Sequence, residues 1–440
     1  MADRERARLI EQRLSAGDTH GAGEAVDSWL MEDPDNAEAL LLLARVLIDT
    51  DKPAVALPVA RQACRRMPNR WEPWYLLGAA EVFMQRTTEA RKALFKAHAI
   101  NPNAAVLRVL ANALVLDYDF DEAEKYARKS LELEESWEAR IVLAFAQLHR
   151  REWSEGWKNY RCQVGQVQDR MAHNYGLPEW RGEPGKVLIY GEQGLGDQLA
   201  FCSAINPHQL VCHPKLKNLL SGSFPEVHGD QFTDEIDWEV TADYQTSMGT
   251  AMIFADMKPR GRYLKPNWDK RVQWNALLAS HGFKPKIGIA WTGGRVRSHG
   301  WRGRNMTLED LLPILKLPYT FVSLEYKDRS DEIADFEAAH GIKIHDWPWG
   351  TQTDDYDDTA ALVDCLDAVV CVPTTAYHLA GALGVPAHVL VHERPHWHEG
   401  TAGDCPWWES VNFYRRPELG DDAVQAIADE LQRGNYAISA

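Results

Sequence analysis

The sequence predicts a chain in two parts, an all-α repeat in the first third and a parallel-sheet α/β region in the rest. Three observations carry this. Pro34, Pro68 and Pro102 recur every 34 residues, and each closes a helical pattern. From about Asn174 that period stops, and short apolar runs bounded by glycine alternate with helical segments. Two of the runs, 187–190 and 287–291, break directly into glycine turns, as strands buried on both faces do in α/β proteins.

Aligned on the prolines, Ala44 meets Gly78, Ala56 meets Ala90, and Ala63 meets Ala97. Small side chains at these places let antiparallel helices approach closely, while Leu40, Trp74, Leu43 and Leu77 fill the space between them. Period, small residues and closing proline together resemble the tetratricopeptide repeat, whose start is clearest in Trp74, Leu77 and Gly78. A degenerate unit precedes Pro34, and two more follow, from Ala105 to about Glu135 and from Ala139 to about Gln163. Trp29, Trp71 and Trp74 read as packing residues between helices.

At 440 residues the chain has room for two to four domains of about 150 residues each. A net charge of −16 argues against a surface built as a whole for nucleic acid or anionic membrane. Seven cysteines, an odd number with no CxxC pair, fit reduced thiols rather than a disulfide framework. The first residues carry no apolar core of a signal peptide, and no apolar run is long enough to span a bilayer. A soluble, cytoplasmic protein without membrane insertion is the expectation.

The segment 177–185 is rich in proline and glycine and marks the join. Strand and helix candidates then follow: strands at 187–190 and 209–212, a short helix at 216–220, and weaker strand candidates at 236–240 and 251–254. A second series opens at Lys286, with strands at 287–291, 320–324, 342–344, 368–372 and 387–391 and helices at 308–315, 330–339, 359–366 and 374–383. An amphipathic helix, 421–433, closes it. The predicted domains are therefore 1–165, 166–282 and 283–440, and two parallel sheets facing each other suit a nucleotide-bearing ligand at their carboxyl ends.

Two stretches carry chemistry. In the first, Gly191, Gln193, Gly194 and Gly196 lead into Asp197 at a helix start. Glycines there let backbone amides approach a ligand, and a tight turn with a capping aspartate explains the same residues. In the second, Thr374 and Thr375 open a helix and His378 lies one turn on, on their face. Hydroxyls, helix dipole and imidazole suit a diphosphate, and a capped helix with a packed histidine is the plainer alternative.

The order of the repeats, Glu152-Trp-Ser-Glu-Gly-Trp, Glu179-Trp-Arg-Gly-Glu-Pro, Tyr190-Gly-Glu-Gln-Gly-Leu-Gly-Asp-Gln and Val372-Pro-Thr-Thr-Ala-Tyr-His-Leu-Ala-Gly resembles one bacterial family. These are the tetratricopeptide-repeat glycosyltransferases of the GT-B fold, related to the ADP-heptose transferases and remotely to protein O-GlcNAc transferase. The resemblance implies an α/β plus all-α fold, a repeat superhelix followed by a GT-B pair of Rossmann-like domains. It implies Asp197 as general base in an inverting, metal-independent transfer from a nucleotide sugar to an acceptor hydroxyl. It places Thr374, Thr375 and His378 at the donor diphosphate, the loop Trp291, Thr292, Gly293 and Gly294 in the cleft, and Arg304 near the phosphates. No cofactor and no metal are implied. The acceptor, a protein, a glycan or another hydroxyl-bearing molecule, stays open because the helix after Phe201 is short, and Pro373 stands where many relatives carry aspartate.

Three features compete with these. Asp355 and Asp357 form a DxD that runs straight into a helix, where N-capping is the plainer role. His392, His396 and His398 lack a carboxylate or thiolate at ligand spacing. Arg295, Arg297, Arg302 and Arg304, with His299, form a dense basic cluster suited to a solvated loop, a diphosphate or a polyanionic acceptor. Besides the transferase, two readings remain open: a repeat scaffold with an inactive transferase domain, and a transferase acting on a nucleic-acid base.

Overall fold

The computed structural model describes residues 2–167, 170–233, 235–293, 305–416 and 420–434. The chain divides into two compact units, Met1–Arg150 and Arg151–Ala440.

The first unit is helical throughout: α1 (Ala2–Ser15), α2 (Thr19–Glu32), α3 (Ala37–Asp49), α4 (Pro53–Arg66), α5 (Trp71–Phe83), α6 (Thr87–Ile100), α7 (Ala104–Leu116), α8 (Phe120–Leu133) and α9 (Trp137–His149). Its helical repeats are like those of tetratricopeptide proteins. The alanines singled out by the 34-residue register, Ala44, Ala56, Ala63, Ala90 and Ala97, have no exposed surface. Gly78 is needed because a Cβ there would lie 2.4 Å from Cγ of Leu94. Trp29 is buried as expected, while Trp71 and Trp74 are only partly covered. The register also shows in the backbone. Gly17, Asp51, Gln85 and Tyr118 all have positive φ, of 77°, 56°, 56° and 63°, at matching turns between helices. Side-chain caps by Asp18, Asn36, Asn103, Asp119 and Ser136 satisfy helix N-termini, at about 1 kcal/mol each.

The second unit opens with α10 (Trp153–Tyr160). Its first sheet has β1 (Val187–Tyr190), β2 (Gln209–Val211), β3 (Val227–His228) and β4 (Tyr244–Ser247), all parallel in the order β3-β2-β1-β4. Helices α11 (Leu195–Cys202), α12 (Lys217–Ser221) and α13 (Met248–Ala251) belong to it. The longer α14 (Trp268–Ser280) leads to the second sheet: β5 (Lys286–Ala290), β6 (Thr320–Ser323), β7 (Ile344–His345), β8 (Ala368–Cys371), β9 (Ala387–Val391) and β10 (Val411–Arg415). These are also parallel, in the order β10-β9-β8-β5-β6-β7. That is the doubly wound order of dinucleotide-binding sheets, and its switch point lies between β5 and β8. Around it run α15 (Leu312–Leu315), α16 (Ser330–His340), α17 (Pro348–Thr351), α18 (Tyr356–Val363), α19 (Thr375–Leu383) and α20 (Ala423–Arg433).

The strand candidates at 236–240 and 251–254 are corrected by the structure. The pairing strand is β4, and 251–254 is helical. Periodicity points away from β4 because its inward residues are polar. Gln245, Thr246 and Ser247 are buried and bonded, to the Tyr175 amide, Glu179 and Thr250 respectively. Strands β3 and β10 and helix α14 likewise lie outside the elements the sequence predicts.

Helix α19 carries the second sequence motif, and Gly381 fixes its seat. A Cβ at Gly381 would fall 2.2 Å from Cγ of the buried Trp408. Alanine in a helix gains about 1 kcal/mol over glycine, but overpacking a rigid indole costs about 1–3 kcal/mol or more. Gly381→Ala should therefore lower Tm in a thermal melt, and an unchanged or raised Tm would show that Trp408 gives way freely.

Candidate functional site

The site is built where β1 and β8 end. After Tyr190 the chain turns through 191–194 into α11, and each glycine there answers to a neighbour. A Cβ at Gly191 would sit 2.8 Å from the carboxamide of the fully buried Gln198. Gln198 donates to the Gln193 carbonyl and to Gln231, and accepts from the His213 amide. Gln193 is buried too, holding the Tyr160 hydroxyl, so its side chain is structural. Gly196 faces α19: its Cβ would come within 3.3 Å of the His378 ring and 3.4 Å of the Thr375 hydroxyl. The glycines at 191 and 196 thus make room for protein groups rather than for a ligand's approach. Gly194 donates its amide to Asp197 Oδ2 at 3.2 Å, the back-bond of a capping box.

Asp197 is the point of convergence. Its Oδ1 lies 2.7 Å from Nε2 of His398, whose side chain is 5% exposed, while a quarter of the Asp197 side chain stays open (26%). Burial opposes ionisation, but the His398 imidazole, with Arg170 and His378 behind it, outweighs burial and holds the carboxyl at about 2. The His398 ring stacks on Trp397 at 3.7 Å between centroids and lies near-parallel to Phe201 at 6.0 Å. The bed under this pair is aromatic, with Trp157 packed edge-on against both Phe201 and Trp397.

Across from it, Thr374 caps α19 by accepting the Ala376 amide at 3.2 Å. His378 is buried, and its Nδ1 accepts from the Trp408 indole N–H at 3.2 Å. That bond leaves a neutral His378 with its proton on Nε2. The first turns of α11 and α19 therefore bring Asp197, Thr375 and His378 together, with the positive ends of both helices in one place.

Other expected site residues go elsewhere. Trp291 is fully buried in the core of the second sheet, and its indole donates to Glu332. The expectation that Trp291 lines the cleft is corrected, because the strand's alternation turns it inward. The amides of Trp291 and Thr292 both donate to Oε1 of the buried Glu325, and the Thr292 hydroxyl donates to its other oxygen. Gly293 packs against Pro373 and Thr374 at the switch point and donates to Asn305. Gly294, Arg304 and the cluster of Arg295, Arg297, His299 and Arg302 lie outside the described residues. Asp355 caps α18, and Lys270 Nζ sits 2.7 Å from Asp355, 3.4 Å from Asp357 and 2.8 Å from Asp358. A lysine on these carboxylates fits the capping role. Among the described residues no group of three histidine, cysteine or acidic side chains could hold a metal ion.

Sequence reasoning missed His398 as the partner of Asp197, and it missed Arg170. It also passed over Glu192, buried at the switch point of the first sheet, where it accepts the Met248 and Gly249 amides at 3.0 and 2.9 Å. The sign available was Gly249 itself, where a Cβ would meet the Glu192 carboxylate at 2.6 Å.

Fold and site together define a helical-repeat protein with a parallel-sheet α/β unit whose two sheets meet at paired helix N-termini. No protein-family model matches the chain. It is similar to the protein FlbA of Caulobacter vibrioides, 26% identical over 436 residues that cover 88% of this chain and 71% of FlbA. Among solved structures, a thermophilic TPR protein of Thermus thermophilus matches with 25% identity and a TM-score of 0.33, covering 36% of this chain and 87% of that one. MamA matches with 23% identity and a TM-score of 0.31, covering 35% and 91%. No helix of the described residues is long and apolar enough to cross a membrane.

The lowered Asp197 carboxyl has a pH signature. A carboxyl held below its unfolded value stabilises the fold above that value and loses the effect as pH falls through the folded one. For Asp197 the window runs from an ordinary 3.8 down to about 2, a difference of about 2 kcal/mol. Urea melts of wild type and Asp197→Asn should show a stability gap that is full above about pH 5 and closes toward about pH 2. A gap that does not change with pH would mean that Asp197 is not held in this way.

Proposed function

We propose that the α/β unit is a glycosyltransferase of the GT-B kind, moving a sugar from a nucleotide-sugar donor to an acceptor hydroxyl with inversion and without a metal. The observation that supports it is the meeting of Asp197 with Thr375 and His378 across paired helix N-termini, beside the switch point of a doubly wound sheet. In this reading the acceptor oxygen attacks the anomeric carbon as the bond to the diphosphate breaks. Its proton passes to the carboxylate of Asp197, which stays ionised at neutral pH. The departing diphosphate gains charge, which the N-terminus of α19, the hydroxyls of Thr374 and Thr375 and the imidazole of His378 stabilise. The repeat unit would serve to engage an acceptor or a protein partner, and cytoplasmic residence remains part of the proposal.

A second reading has one specific observation behind it. Amides at the end of β5, which donor phosphates would use, are engaged by the buried Glu325. A repeat scaffold with an inactive transferase unit would not need them free. A thermal-shift screen of nucleotide sugars separates the two, since a ligand at 100 times its Kd adds about 2.7 kcal/mol of stability. A scaffold gives no shift with any donor.

With the donor so found, Asp197→Asn should lower kcat by about 10²–10⁴-fold, the usual contribution of a general base, with donor Kd nearly unchanged. Turnover should persist in EDTA. Near-normal turnover by the variant strikes Asp197 from the mechanism, and abolition by EDTA with rescue by Mg²⁺ or Mn²⁺ overturns the metal-free account.

A further inference from the structure

Asp197 does not hold its place alone. The contact between His398 Nε2 and Asp197 Oδ1, at 2.7 Å, joins the first turn of α11 to the loop that follows β9. The His398 ring is fixed by shape rather than by other polar bonds. Trp397 stacks on it at 3.7 Å between centroids, Phe201 lies 6.0 Å away and only 9° from parallel, and Trp407 is 5.2 Å away. Neither ring nitrogen makes an aligned hydrogen bond among the described residues, although both are buried. A buried imidazole is costly to leave unsatisfied, and the polar group set within reach is the Asp197 carboxylate.

The loop that carries His398 is itself fastened from below. Arg415, almost wholly buried, donates to the carbonyls of Glu399, Gly400 and Gly403 at 2.7–2.8 Å. Glu399 in turn accepts from the Tyr377 hydroxyl of α19 at 2.9 Å and from the His396 amide at 3.0 Å. A guanidinium that donates to several carbonyls of one loop serves to set that loop's shape. What the loop presents, through that shape, is the imidazole against Asp197.

We propose that His398 is a positioning residue for Asp197: it engages Oδ1 and fixes the carboxylate plane, so that the open part of the carboxylate meets the acceptor hydroxyl. This rests on the glycosyl-transfer reading above for its chemistry, and on geometry alone for its structural half. In that chemistry the acceptor proton goes to Asp197, the bond between anomeric carbon and diphosphate oxygen breaks, and His398 stays in contact with Oδ1. Groups that titrate around the pair are His378 on α19, His396 and Glu399 on the same loop, Tyr160 on α10, and Arg170, a fixed charge, before β1.

The test uses the full chain and two variants, His398→Phe, which keeps the stack, and His398→Gln, whose amide can reach the same oxygen. Carbon-13 carboxyl NMR follows the titration of Asp197. Release of nucleoside diphosphate from the donor identified in the thermal-shift screen follows turnover across pH. In His398→Phe, Asp197 should titrate at or above the ordinary carboxylate range, and kcat should fall about 10²-fold, the scale of a misplaced catalytic group. Nucleoside diphosphate Kd should change less than about twofold, since the substitution removes no group that touches the donor. His398→Gln should recover part of kcat with a flatter pH profile. An Asp197 titration unmoved in His398→Phe, or wild-type turnover by that variant, overturns the proposal. If wild type binds and turns over no nucleotide sugar, glycosyl transfer falls, and the carboxyl titration alone decides whether His398 holds Asp197.

Discussion

The close approach of α11 to α19 is the constraint on which the α/β unit depends. Residue 196 has no side chain, and a Cβ there would already press on the His378 ring at 3.3 Å and touch the Thr375 hydroxyl at 3.4 Å. Two parallel sheets each direct helix N-termini toward their carboxyl ends. When one helix from each sheet meets the other at such short range, their unsatisfied amides and partial positive charges add in one place. Such a place favours anionic groups. Asp197 supplies one from within the protein, and the His398 imidazole, ahead of Arg170 and His378, holds it ionised against burial.

A second constraint sits under the first. Trp157, Phe201, Trp397 and Trp407 form a continuous aromatic bed beneath the Asp197–His398 pair. Trp408 extends it to His378 by its indole N–H. Large rigid rings lose little conformational entropy on ordering and fix whatever lies on their faces. The seats of both imidazoles are thus set by packing, and only their remaining nitrogen chemistry is left to polar contacts.

Much of this was legible in the sequence. The 34-residue register set out the repeats down to the alanines between helices, because small buried residues leave a periodic trace. Strands β1, β5, β6, β8 and β9 showed as apolar runs since both of their faces are covered. What escaped was polar or remote. Strand β4 is buried but reads as Gln-Thr-Ser, its side chains satisfied by groups that only the fold brings near. Asp197, Thr375 and His378 could be picked out from local motifs, whereas the pairing of Asp197 with His398 joins distant parts of the chain and leaves no local pattern. Trp291 shows the opposite error, for the family resemblance carried it into the cleft with its loop, whereas the strand's alternation turns it into the core.

Glu192, Glu325 and Asp197 accept backbone amides near the carboxyl ends of the sheets, and comparing them separates architecture from chemistry. Glu192 receives the amides of α13, and Glu325 those of Trp291 and Thr292. For both, burial is the dominant influence and raises the carboxyl above its ordinary range, amide bonds only partly offsetting it. Among the described residues Asp197 accepts a single amide, yet its carboxyl is lowered, because an imidazole in direct contact and further charges nearby overcome the same burial. Glu192 and Glu325 also lack open surface, while Asp197 retains it. A carboxylate that is ionised, partly open and set against a histidine on an otherwise apolar bed is what the proposed transfer asks of Asp197. Glu192 and Glu325, buried and holding amides, close loops at strand ends.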